Sequence, residues 1–232
     1  MLEGPRTVGE ALAAGIAIET VIVPETSFLS PAVAGVRSGL PAAVEVLVVR
    51  DNVFGRLAPT VSPQPMLALA ARPIPELPQV IAPDDIVLVL VDVADPGNMG
   101  TLLRVADAAA ARCVVVAGGV DPWSDKSIRA SAGSILRVPV VSVAAAEDAL
   151  RALRAAGATI VATDVRQGVP YGRGALDPPV AIVLGSEAHG LAPAVGELAD
   201  LTVRIEMPGR IESLNVAMAG TLLAFETRRP RP

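Results

Sequence analysis

The chain has 232 residues, 52% of them hydrophobic and only 2% aromatic, with a formal net charge of −5. That length suits one large or two small domains. The acidity argues against indiscriminate nucleic-acid binding while leaving room for a local basic patch, and the scarcity of aromatics excludes a base-stacking platform of the RRM or OB type.

Cys113 is the only cysteine and His189 the only histidine, which excludes an intrachain disulfide, a cysteine metal cluster and a multi-histidine site. Mean hydropathy is high, at +0.53. Even so, the longest strongly apolar run, Ile86 to Val91, is far shorter than the roughly 20 residues that a membrane helix needs. Met1 to Arg6 has neither a charged n-region nor an apolar h-region, so no signal peptide is expected and the chain reads as soluble and cytoplasmic. The cations are almost all arginine, with Lys126 the only lysine. Arginine's planar fork suits phosphate recognition, and genomic base composition accounts for the same bias.

In chain order, Val8 to Ala14 is expected to form a helix ended by Gly15, Ile18 to Val23 a strand, residues 31–38 a helix and Val44 to Val49 a strand. Asp51 is expected to cap a helix through Leu57, and Met66 to Ala71 to form a strand. Residues 73–83 contain four prolines, the composition of a stiff linker. It separates a small α/β domain over 1–72 from a larger one over 84–227, followed by a disordered tail over 228–232.

The larger region alternates regularly. Ile86 to Val93 reads as a strand buried on both faces. There follow a helix over Asn98 to Ala110, a strand over Cys113 to Val116, a helix over Ser127 to Ala132 and a strand over Val138 to Val143. A helix over Ala146 to Ala156 is closed by Gly157, and strands follow over Ala158 to Thr163, Val180 to Leu184 and Leu201 to Ile205, then a last helix over Leu214 to Glu226. Such alternation predicts a mostly parallel sheet covered on both faces. The last helix is apolar nearly all round and must be buried, either within its own domain or partly against a second subunit.

Three strand-to-turn segments carry the polar residues, a layout that suits an α/β enzyme with its site at the carboxyl ends of its strands. The first is Asp95 to Arg104, with Asn98 at a helix start and Arg104 on the same face as Gly100. Gly100 is expected to leave room beside the guanidinium, although Asn98 as a cap and Arg104 as a surface cation explain the spacing equally well. The second is Leu184 to Leu191, where glycines permit close backbone approach and Glu187 is the only acid. His189 there is a candidate base, but more simply a loop residue. The third is Ile205 to Met218, where Ser213 and Asn215 stand at the mouth of an apolar helix. No dinucleotide or Walker glycine motif is present, and no nucleophile elbow.

Taken in order, these segments resemble the motifs of the SpoU/TrmH family of RNA ribose 2′-O-methyltransferases, within the SPOUT superfamily. The matching residues are Asn98 to Arg104, Leu184 to Glu187 with Gly190 and Leu191, and Ile205 to Gly209 with Ser213 to Val216, and Arg129 to Ser134 resembles a segment between the first two. The resemblance implies an α/β fold with a C-terminal trefoil knot, a homodimer, and S-adenosylmethionine held mainly by backbone groups of Gly185, Ile205, Met207 and Leu214, with Thr163 and Ser213. It casts Arg104 as the residue that activates the ribose hydroxyl, supported by Asn98, Glu187, Ser213 and Asn215, with no metal.

Residues 3–72 resemble the ribosomal-protein-like RNA-binding domain that precedes the catalytic domain in many members, here expected to lack its first elements. The expected reaction is methyl transfer to RNA, with rRNA favoured over tRNA. A non-catalytic RNA-binding protein that kept the fold, and an unrelated α/β enzyme acting on a small molecule, are the alternatives.

Overall fold

The computed structural model describes residues 1–172 and 174–229. Arg173 and the tail residues 230–232 lie outside the described residues. The chain divides into two compact units, Met1–Pro73 and Ile74–Pro232.

The first unit comprises β1 (Leu2–Glu3), α1 (Pro5–Ala13), β2 (Ile18–Pro24), α2 (Pro31–Ser38), β3 (Glu45–Val49), α3 (Asp51–Leu57) and β4 (Leu67–Ala70). Its sheet runs β1-β4-β2-β3, with β2 and β3 parallel and the other pairs antiparallel. Helix α1 starts three residues earlier than Val8, because Pro5 occupies the first turn, where its missing N–H costs nothing. Strand β1 is too short to show a pattern and exists through pairing with Leu67 and Ala68. Asp51 is not the cap of α3: Arg50 holds that position, and the Asp51 carboxylate accepts from the Thr26 hydroxyl at 3.0 Å instead.

In the second unit, β5 (Ile86–Val91), α4 (Pro96–Ala108), β6 (Cys113–Ala117), α5 (Asp125–Ala130), β7 (Val140–Val143), α6 (Ala146–Ala155) and β8 (Thr159–Thr163) are followed by β9 (Val169–Pro170), β10 (Val180–Leu184), α7 (Pro193–Gly196), β11 (Leu201–Arg204) and α8 (Val216–Glu226). The sheet is parallel throughout, in the order β7-β6-β5-β10-β8-β11-β9. Its central strands β5, β6 and β10 are buried along their whole length, which is why they read as unbroken apolar runs. Each fully buried Val, Leu or Ile there contributes roughly 1.5–3 kcal/mol.

Part of the proline-rich stretch belongs to this unit. Ile81 is buried in its core, and its N–H donates to the Ala156 carbonyl at 2.9 Å. Helix α5 begins two residues before the expected Ser127, because Ser124 caps it. Arg228 is tied down rather than disordered. Its guanidinium donates to the carbonyls of Ala109 at 2.7 Å, Ala110 at 2.8 Å and Asp84 at 2.9 Å.

Candidate functional site

Strands β5, β10, β8 and β11 are neighbours and parallel, so their carboxyl ends share one edge of the sheet. The segments after them bring together residues far apart in sequence. A cavity of about 540 Å³ lies there, lined among others by Thr163, Leu184, Gly185, Ile205, Met207, Ser213 and Leu214. All six residues expected to hold a cofactor therefore border one space. Asp164, Arg166 and Glu212, which the sequence motifs did not single out, border it too. Arg166 and Glu212 approach each other to 3.6 Å, a contact between loops with no common pattern to announce it.

The turn after β10 is held by its own backbone. Ser186 and Gly190 exchange N–H···O bonds of 3.0 and 2.9 Å, and Gly190 takes a positive φ of 66°. A Cβ on Gly185 would come within 2.5 Å of the Gly190 carbonyl oxygen. The glycine at 185 thus lets this turn fold back on itself, and bare backbone faces the cavity as a result. The Thr163 hydroxyl is already engaged, donating to the Val183 carbonyl at 2.9 Å.

Three polar side chains from the three segments form one chain of hydrogen bonds. The Asn98 side-chain amide donates to Glu187 Oε1 at 2.8 Å, and the Asn215 amide donates to Asn98 Oδ1 at 2.9 Å. Asn215 Oδ1 accepts from the N–H groups of Ala217 at 2.9 Å and Met218 at 3.4 Å, capping α8. Asn98 is free for this role because Asp95 caps α4, accepting the Asn98 N–H at 2.8 Å. The Glu187 carboxylate also accepts from the N–H groups of Ala94 at 3.1 Å and Asp95 at 3.3 Å. Burial pushes the Glu187 carboxyl up, but the hydrogen bonds from Asn98 and from the backbone of Ala94, Glu187 and Asp95 outweigh it, and the net pKa is lowered.

Arg104 stands apart from this chain. It is exposed on α4, does not border the cavity, and its side chain has no hydrogen bond or ion pair among the described residues. The space expected beside Gly100 is filled by α5: a Cβ at Gly100 would lie 2.6 Å from the Ala130 carbonyl carbon and 2.7 Å from the Ser131 nitrogen. Ser213 is exposed at the cavity wall. His189 borders the cavity and is exposed. Among the described residues, no group of three or more His, Cys, Asp or Glu side chains is placed to hold a metal ion, and no helix is long and apolar enough to cross a membrane.

Comparison with known proteins gives the chain its relatives. Residues 85–225 match the family model described as the SpoU rRNA Methylase family, and residues 1–68 match an MRM3-like substrate binding domain. The chain is 31% identical over 230 residues to the 23S rRNA (guanosine(2553)-2′-O)-methyltransferase RlmP of Bacillus subtilis, covering 98% of this chain and 88% of that protein. It is 35% identical over 177 residues to a 23S rRNA (uridine(2479)-2′-O)-methyltransferase of Streptomyces viridochromogenes, covering 73% of this chain and 62% of the other. Among solved structures, the AdoMet-bound rRNA methyltransferase of Sinorhizobium meliloti superposes with a TM-score of 0.88 at 32% identity, over 98% of this chain and 86% of that one. The SpoU methyltransferase AviRb of Streptomyces viridochromogenes, in complex with AdoMet, gives 0.87 at 28% identity, over 98% and 88%.

Proposed function

The chain belongs to the SpoU rRNA methylase family, and from that premise we propose that it transfers the methyl group of S-adenosylmethionine to a ribose 2′-OH of RNA, with rRNA favoured over tRNA. Of the relatives aligned along nearly its whole length, that of Bacillus subtilis acts, by its name, on 23S rRNA, and that of Sinorhizobium meliloti is named an rRNA methyltransferase. The observation that carries the reading is the cavity at the strand ends, joined to the Glu187–Asn98–Asn215 chain. Its volume suits a nucleoside-sized ligand. Its apolar walls, Leu184, Val203 and Leu223, suit a ring system, while Asp164, Glu187 and Glu212 suit a ligand bearing positive charge. Gly185, Ile205, Met207 and Leu214 would hold the cofactor, with Thr163 and Ser213. When bound, it supplies an electrophilic methyl group on a sulfonium.

The chain's own residues then have to orient a poor nucleophile and manage its proton. Arg104 is assigned to the ribose hydroxyl and the neighbouring phosphate. Its guanidinium stays protonated, so it acts by orienting the hydroxyl and stabilising the charge that develops on its oxygen, with the proton relayed to the phosphate. Asn98, held from both ends by Glu187 and Asn215, fixes the start of the helix that carries Arg104. Ser213 is assigned to the substrate ribose. The exposed position of Arg104 outside the cavity of its own chain supports a homodimer, in which a second copy completes the site. The trefoil knot is part of the same reading. Supporting it, the chain leaves β11 near one edge of the sheet and returns past the 185–191 turn to pack α8 on α4, beside the central strands. Residues 1–68 are assigned to RNA binding on the strength of the substrate-binding domain they match.

Calorimetric titration with S-adenosylmethionine and S-adenosylhomocysteine, followed by methyl transfer to unmodified 23S rRNA, tests this. Binding near one site per chain is expected. Arg104→Ala should retain that binding and lose activity on the order of a hundredfold or more. Full activity in that variant removes Arg104 from the mechanism, and undetectable cofactor binding by the folded protein moves the reading to a non-catalytic RNA-binding protein.

A further inference from the structure

Lys126 and Arg129 lie at i and i+3 on α5, both exposed, while Ser127 and Ile128 between them are buried. The next residue, Ala130, closes on Gly100 of α4. Arg104 follows Gly100 by one turn on the same face. Asp107, nearly another turn along, holds Arg137 at 2.7 Å. Helix α5 therefore packs on α4 at Gly100, one turn before Arg104, and the segment from Ala130 to Arg137 runs on along α4 from there to Asp107.

Most other cations of this unit are spoken for. Arg137 is paired with Asp107, Arg151 with Asp148, Arg154 with Asp200, Arg166 with Glu212, Arg204 with Glu206 and Arg229 with Glu226. Arg112 lies 3.9 Å from Asp85, and Arg228 is held by main-chain carbonyls. The side chains of Arg104, Lys126 and Arg129 have no hydrogen bond or ion pair among the described residues. Asp125 is exposed on the same short helix, at its first turn, where a carboxylate favours the helix end. In a chain with a net charge of −5, two helices that pack on each other thus carry three exposed cations with no ion-pair partner among the described residues.

Building on the methyltransferase reading, we propose that Lys126 and Arg129 bind backbone phosphates of the RNA strand next to the ribose that Arg104 addresses. They are positioning residues: phosphate contacts set register and orientation and carry no base information. They are also the means by which an acidic protein holds a polyanion locally.

The test uses the full chain and unmodified 23S rRNA transcribed in vitro, with the double variant K126A/R129A and the conservative pair Lys126→Arg and Arg129→Lys. RNA affinity is measured across a salt series, with KM, kcat and cofactor affinity alongside. In the double variant, the slope of log affinity against log salt should shrink by about 1.4, two contacts at roughly 0.7 each for a single strand. KM for RNA should rise about tenfold or more, with kcat and cofactor affinity within about threefold of wild type. The conservative variants should keep the wild-type slope. If the wild type transfers methyl groups and the double variant keeps both slope and KM, the proposal is overturned and the parent reading stands. If the wild type transfers none to this RNA but the slope still shrinks in the variant, the phosphate contacts are upheld and the parent reading falls.

Discussion

Asn98 accepts and donates through one amide, and its orientation is set by its two neighbours. The Glu187 carboxylate can only accept, so the Asn98 nitrogen must face it, and the Asn98 oxygen then faces Asn215. Asn98→Ala leaves a carboxylate with fewer donors and frees the Asn215 amide that links α8 to α4. Since Glu187 is exposed, water replaces part of the loss, and the stability cost should be about 1 kcal/mol. The catalytic cost should be larger and fall on kcat, with the cofactor dissociation constant nearly unchanged. An Asn98→Ala enzyme with wild-type kcat would show that this chain of bonds serves stability alone. The lowered pKa of Glu187 has a definite sign. Its stabilising contribution is present above its unfolded pKa and is lost as pH falls through the lower folded value. Wild type and Glu187→Gln should differ in thermal midpoint at neutral pH, with the wild type higher, and converge on the acid side of the ordinary carboxylate range. Parallel curves would show that the carboxylate's charge adds nothing to the fold.

At the scale of elements, two glycines let helices approach more closely than side chains permit, and they differ in what they touch. A Cβ on Gly100 would meet backbone atoms of Ala130 and Ser131, which cannot move without shifting α5. A Cβ on Gly220 would meet Leu102 Cδ2 at 2.5 Å and Leu184 Cδ1 at 2.9 Å, the ends of flexible side chains. Gly100→Ala should therefore destabilise by about 2–3 kcal/mol. Gly220→Ala should cost less, since the gain in helix propensity of about 1 kcal/mol offsets part of the strain. Denaturant midpoints of the two variants decide it, and equal losses would show that α5 yields as easily as a leucine tip. Helix α8 itself reads as apolar all round, and the structure divides it. Ala217, Gly220, Leu223 and Ala224 are buried, while Met218, Leu222 and Phe225 are exposed at 58%, 41% and 45%.

For the whole molecule, that exposed stripe is the strongest physical support for the proposed homodimer, because a large apolar stripe on a helix demands cover. Leu222→Glu with Phe225→Glu should halve the mass in sedimentation while leaving the thermal transition of the monomer cooperative. A wild-type chain that sediments as a monomer at micromolar concentration would remove the homodimer from the reading. The parallel sheet was legible from unbroken runs such as Ile86 to Val91 and Val180 to Leu184, since strands buried on both faces have no alternation to hide behind. Strands β1 and β9, of two residues each, were not, because their existence rests on partners elsewhere in the chain.

The sequence by itself determined the alternation of strands and helices, the polar turns after the strands, and the identity of the residues those turns carry. Local periodicity, capping and glycine placement are short-range properties, and a sequence states them directly. Only the tertiary structure decided that the turns after β5, β10 and β11 meet, because that follows from strand order across the sheet and not from any local pattern. The same holds for the neighbour that fills the space beside Gly100, for the loops that bring Arg166 to Glu212, and for the carbonyls that anchor Arg228. Each is a contact between segments distant in the chain, fixed by how the sheet is threaded and how closely its helices pack.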